Sequence, residues 1–193
     1  MKPMRHLLAA SCVCALSTLL LAQAPGAPAA NEYGRAPKLG VVPFQGPNGR
    51  VRFEYPKSGW QVVPGGSSVL VSLRQKGGEA AVVVEQNKLN QPLAPDDITD
   101  LFGQLEADVV KERQPTAANI ESKVVEAGGR RFVILTYARQ GIKASERVRQ
   151  YSIPSGSDLF RLTCSAAADK FAKYESVFAH VAASFTVAAP ATQ

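Results

Sequence analysis

Seven bases stand out as residues that could do chemistry: Arg130, Arg131, Arg139, Lys143, Arg147, Arg149 and Arg161. Guanidinium forks match carboxylate and phosphate groups, so a cluster of this kind describes a patch for an anionic partner. Side chains alternate along a strand, which puts Arg147 and Arg149 on one face, with Arg161 one strand later. The competing reading is a solvated strand face that keeps a sheet soluble. Nucleophilic chemistry has less to work with. Cys12 and Cys14 lie in an apolar N-terminal run, which leaves Cys164. It alternates with Phe160 and Leu162 on an apolar strand, where a cysteine serves as a small hydrophobe. An activated thiol or hydroxyl needs a neighbouring base. Beyond the first 24 residues the one histidine is His180, and no G-x-S-x-G elbow is present.

Metal and cofactor readings are weaker still. One imidazole cannot supply a site that needs two. Asp96, Asp97 and Asp100 follow Pro95 at a helix start, where acids complement the positive end of the dipole. Gly77-Gly78 suits a tight hairpin; a phosphate loop would need a helix straight after it. Trp60, the single tryptophan, reads as a core or rim anchor, with ligand stacking as the sharper alternative. The sequence therefore assigns no catalytic residue, no metal ligand and no cofactor.

The N-terminus sets the address. Lys2, Arg5 and His6 precede an apolar run from Leu7 to Ala22, and Ala22-Gln23-Ala24 is a small-x-small cleavage site. This is the pattern of a secretory signal peptide over residues 1–24, too short for a comfortable membrane span and without a good lipidation site. Cleavage leaves roughly 170 residues, enough for one domain with its own core. It takes two bases and no acid, so the net charge falls from +6 to roughly +4. Export with mild basicity favours a protein partner in the envelope or an anionic surface over nucleic acid, and the site is periplasmic or secreted.

Residues 25–49, rich in Pro, Gly and Ala, read as a flexible linker, with Val41–Phe44 able to lie on the domain as an extended segment. Val51–Tyr55 alternates apolar and charged residues and reads as an edge strand, ended by Pro56. Trp60–Val63, Val69–Leu73 and Ala80–Glu85 are further strands. A helix runs from Pro95 to Gln114, with Ile98, Leu101, Phe102, Leu105 and Val109 as its apolar stripe. Asn119–Glu126, Arg131–Arg139, Ala144–Ile153 and Leu159–Ala166 form an antiparallel meander. Within it, Arg131–Arg139 is apolar on both faces, the mark of a central strand covered on two sides. Pro154-Ser155-Gly156-Ser157-Asp158 is a dense turn signal. Asp169 caps a last helix whose stripe is Phe171, Tyr174, Val177, Phe178 and Val181, with His180 off that stripe. Residues 188–193 are a loose tail. Strands, helix, meander and helix imply an α+β fold: a three-layer α/β/α sandwich around a mostly antiparallel sheet.

Phe53-Glu54-Tyr55-Pro56-Lys57-Ser58-Gly59-Trp60 resembles the F-x-YP-x-x-W opening of the PsbP-like family. The order of the later elements fits the same pattern, so the resemblance spans residues 50–187 as a single domain. It implies the same sandwich and a role in binding and assembly rather than catalysis. Members include a photosystem II extrinsic subunit, small GTPase-binding proteins and bacterial envelope proteins. The metal-related histidines of the photosystem subunit have no counterpart, since only His180 is available. The resemblance thus implies an exported, non-catalytic accessory protein of the envelope. The alternatives are a structural or secretion-system component, signalled by an apolar patch beside the Val51–Tyr55 edge, and an envelope hydrolase built on a carboxylate pair.

Overall fold

The computed structural model describes residues 40–46, 49–127 and 130–188. The leader, the turn at Gly128-Gly129 and residues 189–193 lie outside them. Among the described residues, two sheets and two α-helices make up the fold. The first sheet has three strands in the order β1-β2-β9: Val41–Gln45, Val51–Pro56 and Thr186–Val187. The second has the order β3-β4-β5-β8-β7-β6 and is antiparallel throughout. Its strands are Trp60–Pro64, Val69–Gln75, Ala80–Leu93, Ala118–Ala127 (β6), Arg130–Gln140 (β7) and Ser145–Ala167 (β8). The helices are α1, Asp100–Arg113, and α2, Phe171–Ser184.

β8 spans 23 residues, yet its ends meet: the Ala168 N–H donates to the Ser145 carbonyl at 2.9 Å. Its first half pairs with β7 and its second half with β5. The strand therefore folds back on itself as two arms. The reversal falls where the turn residues sit, and Gly156 takes φ +60°, a conformation that suits a residue without Cβ.

Helices cover opposite faces of the main sheet. On one face, α2 packs Phe171, Tyr174, Val177, Phe178 and Val181 against Val71, Leu73, Val82, Val84, Leu162 and Cys164. The small sheet adds Val51 and Phe53 to this core. Trp60 meets the Tyr174 ring edge-on at 6.0 Å, so it is a core anchor. On the other face, Ile98 and Val110 of the α1 region cover Val133, Leu135, Tyr137 and Val148. The result is the expected α+β sandwich.

Several local expectations change. β7 has both faces covered, Val133 and Leu135 beneath α1 and Phe132 and Ile134 toward α2, but it sits second from the sheet edge. Residues 41–45 of the expected linker form β1, because pairing with β2 satisfies their backbone. β2 is consequently the middle strand of its sheet, although β9 pairs only with Val51 and Arg52 on its second side. β5 continues to Leu93. Pro95–Asp97 is a single 3-10 turn, in which the Asp97 carboxylate accepts the Ala94 N–H at 2.7 Å, and α1 starts only at Asp100. Lys170, not Asp169, is the N-cap residue of α2, and no side chain caps it.

The largest correction concerns α1. Leu101 is 63% exposed and Leu105 56% exposed, while Gly103, Glu106 and Val110 are buried. Two residues turn the helix this way. Gly103 lets the backbone approach β6 closely, since a Cβ there would collide with the Ser122 hydroxyl. Glu106 is drawn inward by an ion pair described next.

Candidate functional site

Beneath α1 the sheet presents polar side chains from both arms of β8. Gln150 and Ser152 alternate with Tyr151 on the first arm, and Arg161 with Phe160 and Leu162 on the second. Alternation sends the apolar members to the α2 core and the polar members to α1. Glu106, 4% exposed, reaches down to meet them. Its Oε1 accepts from Arg161 Nη2 at 2.7 Å, and its Oε2 from Arg161 Nε at 2.8 Å and Ser152 Oγ at 2.6 Å. Gln150 donates to Ser152 Oγ at 3.3 Å. Glu85 stands opposite Arg161 on β5. Burial opposes the charge on Arg161, but the bonds and charge of Glu106 outweigh it and hold the guanidinium above its ordinary value.

This constellation binds its own parts. The Glu106 carboxylate spends both oxygens on the fork and the hydroxyl, a bidentate, charge-assisted geometry. Arg161, 6% exposed, is engaged through Nε and Nη2, while its Nη1 is buried with no hydrogen-bond partner. Its chemistry is to pin α1 across the two arms of β8.

The seven bases read from the sequence do not gather. Arg161 faces α1, whereas Arg147 and Arg149 face α2, both within cation–π reach of the Phe171 ring at 5.3 and 5.7 Å. Arg149 also bonds Glu175 at 2.8 Å. Arg139 is held by Glu146 and Gln114. Arg131 lies 3.5 Å from Glu126 and 3.7 Å from Asp96. Arg130 donates to the Phe185 carbonyl at 3.1 Å. Arg130, Lys143 and Arg147 are exposed and have no ion-pair partner among the described residues.

Sequence reasoning had no place for Glu106. Its signal was a charge three residues after Gly103 and four before Val110, on the face that those small and apolar residues define. Arg161 carried a matching hint, a charge inside the apolar run Leu159–Leu162.

Other polar groups serve as struts. Asp158 is buried where the second arm of β8 meets β5, and it accepts from Arg50 at 2.7 Å, Lys88 at 2.8 Å and Gln86 at 2.9 Å. Burial alone would raise its pKa; these three donors bring it to about 2. Glu79 is likewise held at about 2 by the Tyr174 hydroxyl and the Lys173 ammonium. His180 contacts Glu54 at 3.1 Å and ties α2 to β2. Burial pushes the Cys164 thiol up to about 12, as befits an inert core residue. No group of three or more His, Cys, Asp or Glu residues able to hold a metal occurs among the described residues.

The PsbP family profile matches residues 39–187. The chain belongs to the PsbP family. The matched span includes β1, in agreement with its pairing to β2. Among solved structures, cyanobacterial PsbP (CyanoP) from Synechocystis superposes with a TM-score of 0.59 at 18% identity, covering 80% of this chain and 95% of that one. LpqN from Mycobacterium tuberculosis, described as involved in cell envelope biogenesis, gives 0.51 at 13% identity over 86% of this chain and 99% of its own. A protein from Bacteroides thetaiotaomicron gives 0.51 at 12% identity, over 78% of this chain and 50% of that one. At these identities the likeness is one of fold. No functionally curated protein matches the sequence.

Proposed function

We propose that this PsbP-family protein is an exported, non-catalytic accessory that binds a protein partner in the cell envelope. The observation that carries the reading is the family match, which spans the folded unit from β1 to β9. The described role of LpqN in envelope biogenesis supports the location. So does the leader pattern of residues 1–24, with 25–40 as a tether. The absence of a long apolar helix among the described residues is compatible with release after cleavage. The bases offered to an anionic partner are Lys143 and Arg147, exposed near the first arm of β8, with Arg130 further along the sheet.

The test combines two measurements. The intact mass of the protein recovered from the envelope fraction is expected to match cleavage after Ala24. Affinity capture with that protein is expected to retain a stoichiometric partner at low salt. High salt, or the double reversal Lys143→Glu/Arg147→Glu, should weaken it, since exposed charges act only within a Debye length. Retention in the cytoplasm, or no stoichiometric partner under either condition, would overturn the reading.

A further inference from the structure

β6 ends the main sheet, and among the described residues no strand lies on its outer side. Its outward N–H and C=O groups are therefore a template for another strand. The side chains along it say which one. Glu121 and Lys123 are exposed on one face and have no ion-pair partner among the described residues. Glu126 is already engaged by Arg131. On the other face, Ile120 and Val124 are half-buried against the α1 core, flanking Ser122.

We propose that β6 pairs antiparallel with β6 of a second copy of this chain, about a two-fold axis through Ser122. In that register Glu121 faces Lys123 of the second copy, and Lys123 faces Glu121. Ile120 and Val124 meet as apolar pairs on the opposite face. Opposite charges and apolar residues directly across a ladder are the favourable cross-strand pairs. Neighbouring registers lack this match. An axis at Glu121 or at Lys123 sets like charges opposite each other. An axis at Val124 leaves Lys123 facing Val125. Parallel in-register pairing sets every charge against itself. A symmetric edge contact of this kind closes at two subunits.

The edge also limits the strength of the contact. The bulge between Ala118 and Glu121, where Asn119 has φ +53°, breaks the regular edge on one side. A ladder this short buries less than the roughly 1,200 Å² of a standard stable interface, so association depends on concentration.

Sedimentation velocity over a concentration series tests the proposal. The unaltered protein is expected to pass from monomer to dimer. Lys123→Glu and Glu121→Lys should each move that transition to roughly tenfold higher concentration, because two attractive pairs become repulsive. An equimolar mixture of the two variants should restore the dimer as a heterodimer, since one chain then carries two acids along this edge and the other two bases. The mixture also shows that both variants are folded. A protein monomeric at every concentration, or a dimer indifferent to both reversals, would overturn the proposal.

Discussion

The two helices hold to the same sheet by different means. α2 lies on rings: Phe171, Tyr174 and Phe178 pack among themselves and against Trp60, with centroids 5.3–6.5 Å apart. Each fully buried large apolar side chain contributes about 1.5–3 kcal/mol, with no fixed direction. α1 buries only Gly103, Glu106 and Val110 and leaves two leucines in water. Besides Val110 and the half-buried Phe102 and Ala107, its position rests on one ion pair and one close backbone approach. A buried ion pair is weak net stabilisation, because desolvation consumes most of the Coulomb gain, but it fixes orientation. The α2 interface therefore supplies stability and the α1 interface supplies register.

Three experiments put that contrast to the test. The largest effect is expected from Phe178→Ala, which opens a cavity at the centre of the ring cluster. It should cost about 3–5 kcal/mol in urea unfolding. A loss under about 1 kcal/mol would mean that α2 is not the main anchor. Next, Glu106→Ala should cost about 3 kcal/mol, since it strands the Arg161 charge in the interior. The double change Glu106→Leu/Arg161→Met should recover most of that loss. A double variant as unstable as the sum of its parts would show that the pair stabilises in its own right. The smallest effect concerns the rim of the α2 side. Asp158 has a folded pKa of about 2 against an ordinary 3.8. A depressed carboxylate contributes stability above its unfolded value and loses it as pH falls through the folded one. About 2 kcal/mol should therefore disappear between pH 4 and pH 2. In Asp158→Asn the acid-dependent part of the melting curve should flatten; an unchanged curve would assign it elsewhere.

The same contrast explains what could be read in advance. The α2 stripe was legible because its five apolar residues do the packing, and periodicity reports packing. The turn at Pro154–Asp158 was legible from its residue types. The face of α1 was not. Ile98 and Phe102 of the stripe do pack on the core, but Leu101 and Leu105 outweigh Gly103 and Glu106 on any hydrophobic scale, so the stripe was centred part of a turn away from the buried face. What turned the helix was Arg161, 55 residues away in the chain. The dispersal of the basic patch has a similar cause. Which face a strand residue takes depends on its neighbours across the hairpin, and those are fixed only once β8 has folded back. β1 was hidden among Pro and Gly residues because its partner, rather than its own sequence, makes it a strand.

The small sheet has a mechanical consequence. β1 and β9 flank β2 on either side: β1 pairs along β2 from Val41↔Pro56 to Gln45↔Arg52, and β9 pairs only at the other end, where Val187 faces Val51. The chain thus enters and leaves the fold about one strand length apart, roughly 20 Å. A pull between the two termini runs along β2 and meets these short ladders in shear. β9, only two residues long, would slip first, and the six-stranded sheet would stay out of the line of load. A tether on the N-terminal side alone places no tension across either sheet.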